Sequence, residues 1–195
     1  MAEGTQFSAI YNRFLGKITD DLYIELTPED TIRDLRQLLL DALPGFEFPR
    51  VDLYDYEIKQ EIIQEDEVVE GDFVLGIIWN DDPVNNQEKI PMALIERSAF
   101  SAQLSPEEIN ILAILMKQGW VQRQVTSIEN TRMKFSGSDF KFTSQANHLR
   151  KLMTLLEESR RDSFHMQRLY KRRKKDENGH YVSNWSILRS KRDGR

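Results

Sequence analysis

Five consecutive cations, Lys171-Arg172-Arg173-Lys174-Lys175, form the densest charge in the 195-residue chain. Such a run can neutralise phosphates with salt-sensitive affinity. It can equally end a helix, where cations face the negative pole of the dipole, or dock on acidic protein. Beyond it, His180 to Leu188 carries apolar anchors in Tyr181, Val182, Trp185, Ile187 and Leu188. Segments that stay unstructured are usually poor in such residues, so this pattern predicts a segment that docks. Trp185 stands ten residues past the run, without the interleaved aromatics that stack on single strands, which makes a protein pocket its expected destination. Lys171, Arg172, Arg173, Lys174, Lys175, Tyr181, Trp185, Ile187 and Leu188 are the candidate partner-docking residues.

The remaining reactive side chains do not assemble into a chemistry. His148, His165 and His180 have neither His-x-x-x-His nor His-Glu-x-x-His spacing, so no zinc site is expected. Asp20-Asp21 and Asp81-Asp82 lack the further carboxylates of a calcium loop and read as turn and cap residues. Ser136-Gly137-Ser138 lacks the Gly-Lys-Ser/Thr ending of a phosphate loop and reads as a connector. No Gly-x-Ser-x-Gly is present for a serine hydrolase. The chain has no cysteine, which excludes disulfides, thiol nucleophiles and cysteine-ligated metal. The expectation is a non-enzyme with no catalytic residue, no cofactor and no metal.

Charge is split along the chain. Residues 1–100 carry 22 acids against 8 bases, and residues 101–195 carry 10 acids against 19 bases, within a net charge of −5. An acidic half joined to a basic one suits a nucleic-acid-binding arm, or head-to-tail packing in which one copy's basic surface meets the next copy's acidic one. The bland alternative is a solvated charged surface on separate elements. No apolar run approaches the roughly 20 residues of a membrane span. Met1-Ala2-Glu3-Gly4 opens no basic-then-apolar leader, so assembly in the cytosol is expected and the sequon Asn184-Trp185-Ser186 is read as chance.

Phe7, Ile10, Tyr11, Phe14, Leu15 and Ile18 fall on one helical face. A second helix starts on Thr27 as cap, Pro28 at its first position and Glu29-Asp30 at its positive end, buries Ile32, Leu35, Leu38, Leu39 and Ala42, and stops at Pro44-Gly45. Residues 46–104 are richer in β-branched and aromatic side chains, and Phe73 to Trp79 is predicted as a buried strand. Ser105-Pro106-Glu107-Glu108 is a capping box. It opens a helix expected over about 106–133, with Ile109, Leu112, Ala113, Met116 and Trp120 on one face and Val121, Val125 and Ile128 beside it. After a break at 136–139, a last long helix is lined by Ala146, Leu149, Met153, Leu156, Phe164 and Leu169, with Leu152 alongside. The two long helices are expected to form an antiparallel hairpin.

The fold expected is therefore mainly α: a helical bundle with a long antiparallel helix hairpin, a small β or irregular insertion and an extended C-terminal arm. Its parts are residues 1–45 (N-terminal helical core), 46–104 (β-containing or irregular insertion), 105–170 (helix hairpin completing the core) and 171–195 (basic docking arm).

Three blocks resemble the neck, or head-to-tail connector (adaptor), proteins of tailed bacteriophages. They are the Phe7-to-Ile18 helix with Thr19-Asp20-Asp21, the block from Leu104-Ser105-Pro106-Glu107-Glu108 to Trp120, and Ile128 to Leu149. They cover a little over a quarter of the chain, and apart from Leu104 residues 46–104 contribute nothing. The resemblance implies a virion structural protein, assembled in the host cytoplasm. It implies a homo-oligomeric ring, commonly of twelve copies, that contacts the portal and other neck or tail proteins and has a channel facing packaged DNA, with no membrane partner. It also implies an extended terminal arm reaching the portal or a neighbouring subunit. The residues alone leave a second class open: a nucleic-acid-binding regulator with a basic C-terminal arm.

Overall fold

The structure, a computed structural model, describes residues 4–18, 26–69, 72–81, 89–134, 142–175 and 181–183. Four α-helices lie within them: α1 (Phe7–Leu15), α2 (Pro28–Ala42), α3 (Pro106–Lys134) and α4 (Phe142–Arg172). Seven strands accompany them: β1 (Tyr56–Glu57), β2 (Gln60–Gln64), β3 (Phe73–Asp81), β4 (Lys89–Glu96), β5 (Ala99–Phe100), β6 (Arg173–Lys175) and β7 (Tyr181–Ser183).

Residues Ile111 to Met116 are buried on every side of α3, which makes it the central helix, since a helix apolar all round must be enclosed. Its start is the capping box read from sequence: the Ser105 backbone N–H donates to Glu108 Oε2 at 2.7 Å, and the Glu108 N–H donates to Ser105 Oγ at 3.4 Å. The aromatic face of α1 packs against it, with Phe7, Ile10, Tyr11 and Phe14 wholly buried. Helix α2 begins as expected, Thr27 Oγ1 accepting from the Asp30 N–H at 3.2 Å, and buries Ile32, Leu35, Leu38 and Leu39.

Helices α3 and α4 run antiparallel, Tyr170 meeting Glu108 at one end and Gln118 Nε2 donating to Ser159 O at 2.9 Å further along. The buried stripe of α4 is Leu149, Leu156, Ser159, Ser163, Gln167 and Tyr170. Met153 and Phe164, expected to line this helix, are instead exposed. Leu149, Leu156, Ser163 and Tyr170 repeat every seven residues, the spacing at which two long helices keep one seam together. Two small serines in that seam are polar, which is why an apolar-only reading turns the stripe toward Phe164.

The expectation of a mainly-α helical bundle is overturned. The chain builds three antiparallel sheets: β1–β5, the three-stranded β2–β4–β3, and β6–β7. The β part is no appendage. Leu53 and Phe100 belong to the same buried cluster as Phe7 and Tyr11, with the Phe7 and Phe100 rings 4.7 Å apart and Phe7 and Tyr56 5.8 Å apart. The Gln6 bridge to Ala99 and the Phe7 N–H donating to Ser98 O at 2.8 Å stitch the entry of α1 to this layer. The fold is α+β, with one core shared by both parts.

In the three-stranded sheet β4 is central and β2 and β3 are edges. Directly paired residues share a face. Phe73, Gly76, Ile62, Leu94 and Glu96 therefore point one way, and Val74, Ile77, Trp79, Ile63, Ala93 and Ile95 the other. The shift of register between Val74 and Gly76 is a bulge that keeps this division. Helix α2 covers the first face. A Cβ on Gly76 would stand 2.3 Å from Pro28 Cγ, so only glycine admits the helix this closely. Arg36 Nη2 reaches Glu96 Oε2 at 2.7 Å.

The second face corrects the sequence reading of a buried strand. Val74, Ile77 and Trp79 are 41%, 44% and 62% exposed. An edge strand roofed by one helix on one side stays open on the other.

Candidate functional site

The basic run begins on the last turn of α4 and continues into a hairpin. Lys171 and Arg172 close the helix, Arg173, Lys174 and Lys175 form β6, and Tyr181 pairs with Lys175 across β7. The structure thus brings six of the nine predicted docking residues together. Trp185, Ile187 and Leu188 lie outside the described residues. The start of the arm departs from an extended chain, because 173–175 and 181–183 fold back on each other.

The base of the arm is held by groups the sequence reading did not single out. Arg50 Nη2 donates to Tyr170 O at 2.7 Å and also to Arg173 O. A guanidinium there satisfies carbonyls that a helix C-terminus leaves without partners. The same guanidinium lies 4.2 Å over the Tyr170 ring in a cation–π contact. Tyr170 itself is 2% exposed and donates from its hydroxyl to Glu108 Oε1. Burial first, and then the Glu108 hydrogen bond and charge, push the Tyr170 hydroxyl well above the ordinary tyrosine range. Glu108 therefore serves twice, capping α3 through one oxygen and receiving α4 through the other.

Further contacts complete the mounting. Arg173 pairs with Glu107. Lys171 Nζ lies 3.7 Å over the Phe48 ring. Gln167, buried, accepts from the Glu47 N–H at 2.8 Å and donates to Gly45 O at 3.1 Å. Phe46 packs edge-on to Tyr170 at 5.5 Å. Residues 45–50 and the first turn of α3 thereby grip the last turns of α4 and set where the arm leaves the body. Arg50, Glu107, Glu108, Gln167 and Tyr170 are the positioning residues. Only the Ser105–Glu108 capping spacing hinted at any of them, and it predicted a helix start rather than an arm clamp.

The charge split read from sequence is satisfied in part within one copy. Arg123 on α3 reaches Asp34 and Asp41 on α2 at 2.5 and 3.3 Å, joining the two halves, whereas Glu61 pairs inside the acidic half with Lys59 at 2.7 Å and Arg97 at 2.5 Å. The Lys59 hydrogen bond, with the Arg97 charge beside it, holds the Glu61 carboxyl below its usual range. Among the described residues no group of three or more His, Asp or Glu is arranged to hold a metal ion, and no helix is long and apolar enough to cross a membrane. Comparison of the chain with protein-family models, with curated proteins and with solved structures returns no match.

Proposed function

We propose that this chain is a non-enzymatic structural connector of a tailed-bacteriophage neck, forming a ring that joins the portal to the tail, with residues 171–195 as its docking arm. The observation that carries the docking role is the mounting of that arm. A segment with nine bases and three acids leaves the body from a helix end fixed by Arg50, Glu107, Glu108 and Tyr170. Fixing the root of an arm lowers the ordering cost when its tip binds. The long helices α3 and α4 supply a rigid body, and the opposed charges of the two halves supply register for a closed head-to-tail ring. The neck assignment itself draws on the sequence blocks 7–21, 104–120 and 128–149.

The test is the mass in solution, by light scattering, of the full chain and of a Trp185→Ser/Ile187→Ser/Leu188→Ser variant, each alone and with portal protein. A ring, or a portal complex lost in the variant, is the expected result. A monomer in all four samples overturns the proposal.

The second reading, a nucleic-acid-binding regulator with a basic arm, draws on the same run of cations. Two of the five already have partners in the chain, Lys171 on Phe48 and Arg173 on Glu107, and the net charge is −5. Affinity for DNA that falls steeply with salt, in a chain that stays monomeric, would favour this reading.

A further inference from the structure

Val74, Ile77 and Trp79 are 41%, 44% and 62% exposed, and all three point from β3 to the sheet face that α2 does not cover. On the same face of the sheet Ala93 and Ile95 of β4 are already buried and Pro91 and Ile63 are half-buried, so the exposed apolar surface is a strip along the edge strand β3. An apolar face of this kind on a sheet marks a surface that meets something else. The surrounding chain says what charge that partner carries. Residues 52–82, which contain β1, β2 and β3, hold eleven acids and one base, and Glu65, Asp66, Glu67 and Val69 beside the sheet are all exposed. The partner is thus apolar at its centre and cationic around it.

The chain supplies such a segment itself. The described residues end at Ser183, and twelve more follow. They carry Trp185, Ile187 and Leu188, then Arg189, Lys191, Arg192 and Arg195 against a single acid, Asp193. Laid along a sheet, Trp185 and Ile187 would share one side, as Ile77 and Trp79 do on β3. Twelve residues reach on the order of 40 Å when extended.

We propose that the exposed strip of β3 formed by Val74, Ile77 and Trp79 receives residues 184–195 of a second copy of this chain. The inference rests on the reading of 171–195 as a docking arm and names what the arm docks on. The contact is heterologous, arm to sheet. Each copy therefore offers one donor and one acceptor, and the chain of contacts can close into a ring. The apolar anchors supply the contact. The acidic rim and the arm's cations supply encounter and register, which salt weakens.

Complementation between two defective copies tests it. An Ile77→Thr/Trp79→Thr chain lacks the acceptor and keeps its arm. A Trp185→Ser/Ile187→Ser chain lacks the arm and keeps the acceptor. The full chain is expected to assemble, each variant alone to remain at the 23.0 kDa monomer mass, and an equimolar mixture to form pairs and nothing larger, the pairing weakening as salt is raised. If the sheet variant assembles like the full chain, the arm docks elsewhere. The inference then falls while the docking arm stands. If the arm variant also assembles, both fall. A monomeric full chain, or a mixture that does not pair, overturns the inference.

A misfolded variant would also fail to assemble, so a second measurement uses conservative single changes. The chain has no cysteine, so Ile77→Cys in one copy and Ile187→Cys in another, isotope-labelled, leave one thiol per copy, on the sides of strand and arm that face each other. A mixed disulfide between positions 77 and 187 of different copies is the expected product. Its absence overturns the inference. So does pairing within a single Ile77→Cys/Ile187→Cys chain at high dilution, which would place the arm on its own sheet.

Discussion

The helical core and the three-stranded sheet use apolar residues in opposite ways. In the core every large apolar face has a counterpart: Phe7, Tyr11, Leu35, Leu39, Leu112 and Met116 are all wholly buried. On the sheet, strand β3 spends Phe73 and Gly76 on α1 and α2 and leaves Val74, Ile77 and Trp79 facing out. The core is covered within one copy and the outer side of β3 is not. Apolar content therefore separates into two kinds, one that stabilises the fold and one that the isolated fold does not use.

The largest effect should come from the completed side. Phe7→Ala empties a site in contact with Tyr11, Tyr56 and Phe100 and should cost about 3–5 kcal/mol in denaturant unfolding. A loss below about 1 kcal/mol would mean that the α–β junction is not part of the core. Next is Arg36→Ala. Glu96 has a wholly buried side chain held by Arg36 and by the Ser98 N–H, so removing the cation leaves a buried carboxylate half-satisfied, at a cost of about 3 kcal/mol. Gly76→Ala tests the covered face of the sheet directly. The new Cβ meets Pro28 Cγ, and separating α2 from β3 should cost about 1–3 kcal/mol, read as a lower unfolding midpoint. A neutral Gly76→Ala would show that α2 does not clamp this strand, and the distinction between the two sheet faces would weaken.

What could be read in advance follows the range of the interaction. Helices α1, α2 and α3 were legible because caps and apolar spacing are local: Thr27, Pro28 and the Ser105–Glu108 box mark their own boundaries. The β content was underweighted because its pairing is non-local. Gln60–Gln64 pairs with Lys89–Glu96, and a strand with one covered and one open apolar face shows no alternation for a period-two reading to find. The stripe of α4 was misplaced at Met153 and again at Phe164, the latter because Ser159, Ser163 and Gln167 are polar residues buried in the seam. For the docking arm, sequence composition marked its charge and anchors. Its mounting could not be read, since Arg50 and Tyr170 stand 120 residues apart and nothing local about either announces the other.

Smaller effects separate the arm's root from the body. Tyr170→Phe removes the hydroxyl that Glu108 accepts from and should cost about 1–2 kcal/mol at neutral pH. It should also change the alkaline limb of the stability curve. The folded chain holds the Tyr170 proton more tightly than the unfolded chain, whose tyrosines titrate near 10.0. That contribution is fully present below pH 10 and is lost as pH rises toward the folded value. Stability of the native chain should therefore fall above pH 10, and the fall should be shallower in Tyr170→Phe. Some slope should remain, because burial raises Tyr11 in the same direction. Identical slopes in the two proteins would mean that the Tyr170 proton is not held by the fold.

The smallest expected effect bears most directly on the contrast between core and sheet. Trp79 is the largest side chain on the open face, yet 62% of it remains exposed, so little of its surface leaves water when one copy folds. Threonine keeps the branched shape that suits a strand. Trp79→Thr should therefore change unfolding stability by about 1 kcal/mol or less, well below Phe7→Ala, although it removes a side chain at least as large. A loss near 3 kcal/mol would instead mean that Trp79 belongs to the fold of the single copy, and the sheet would be as complete as the helical core.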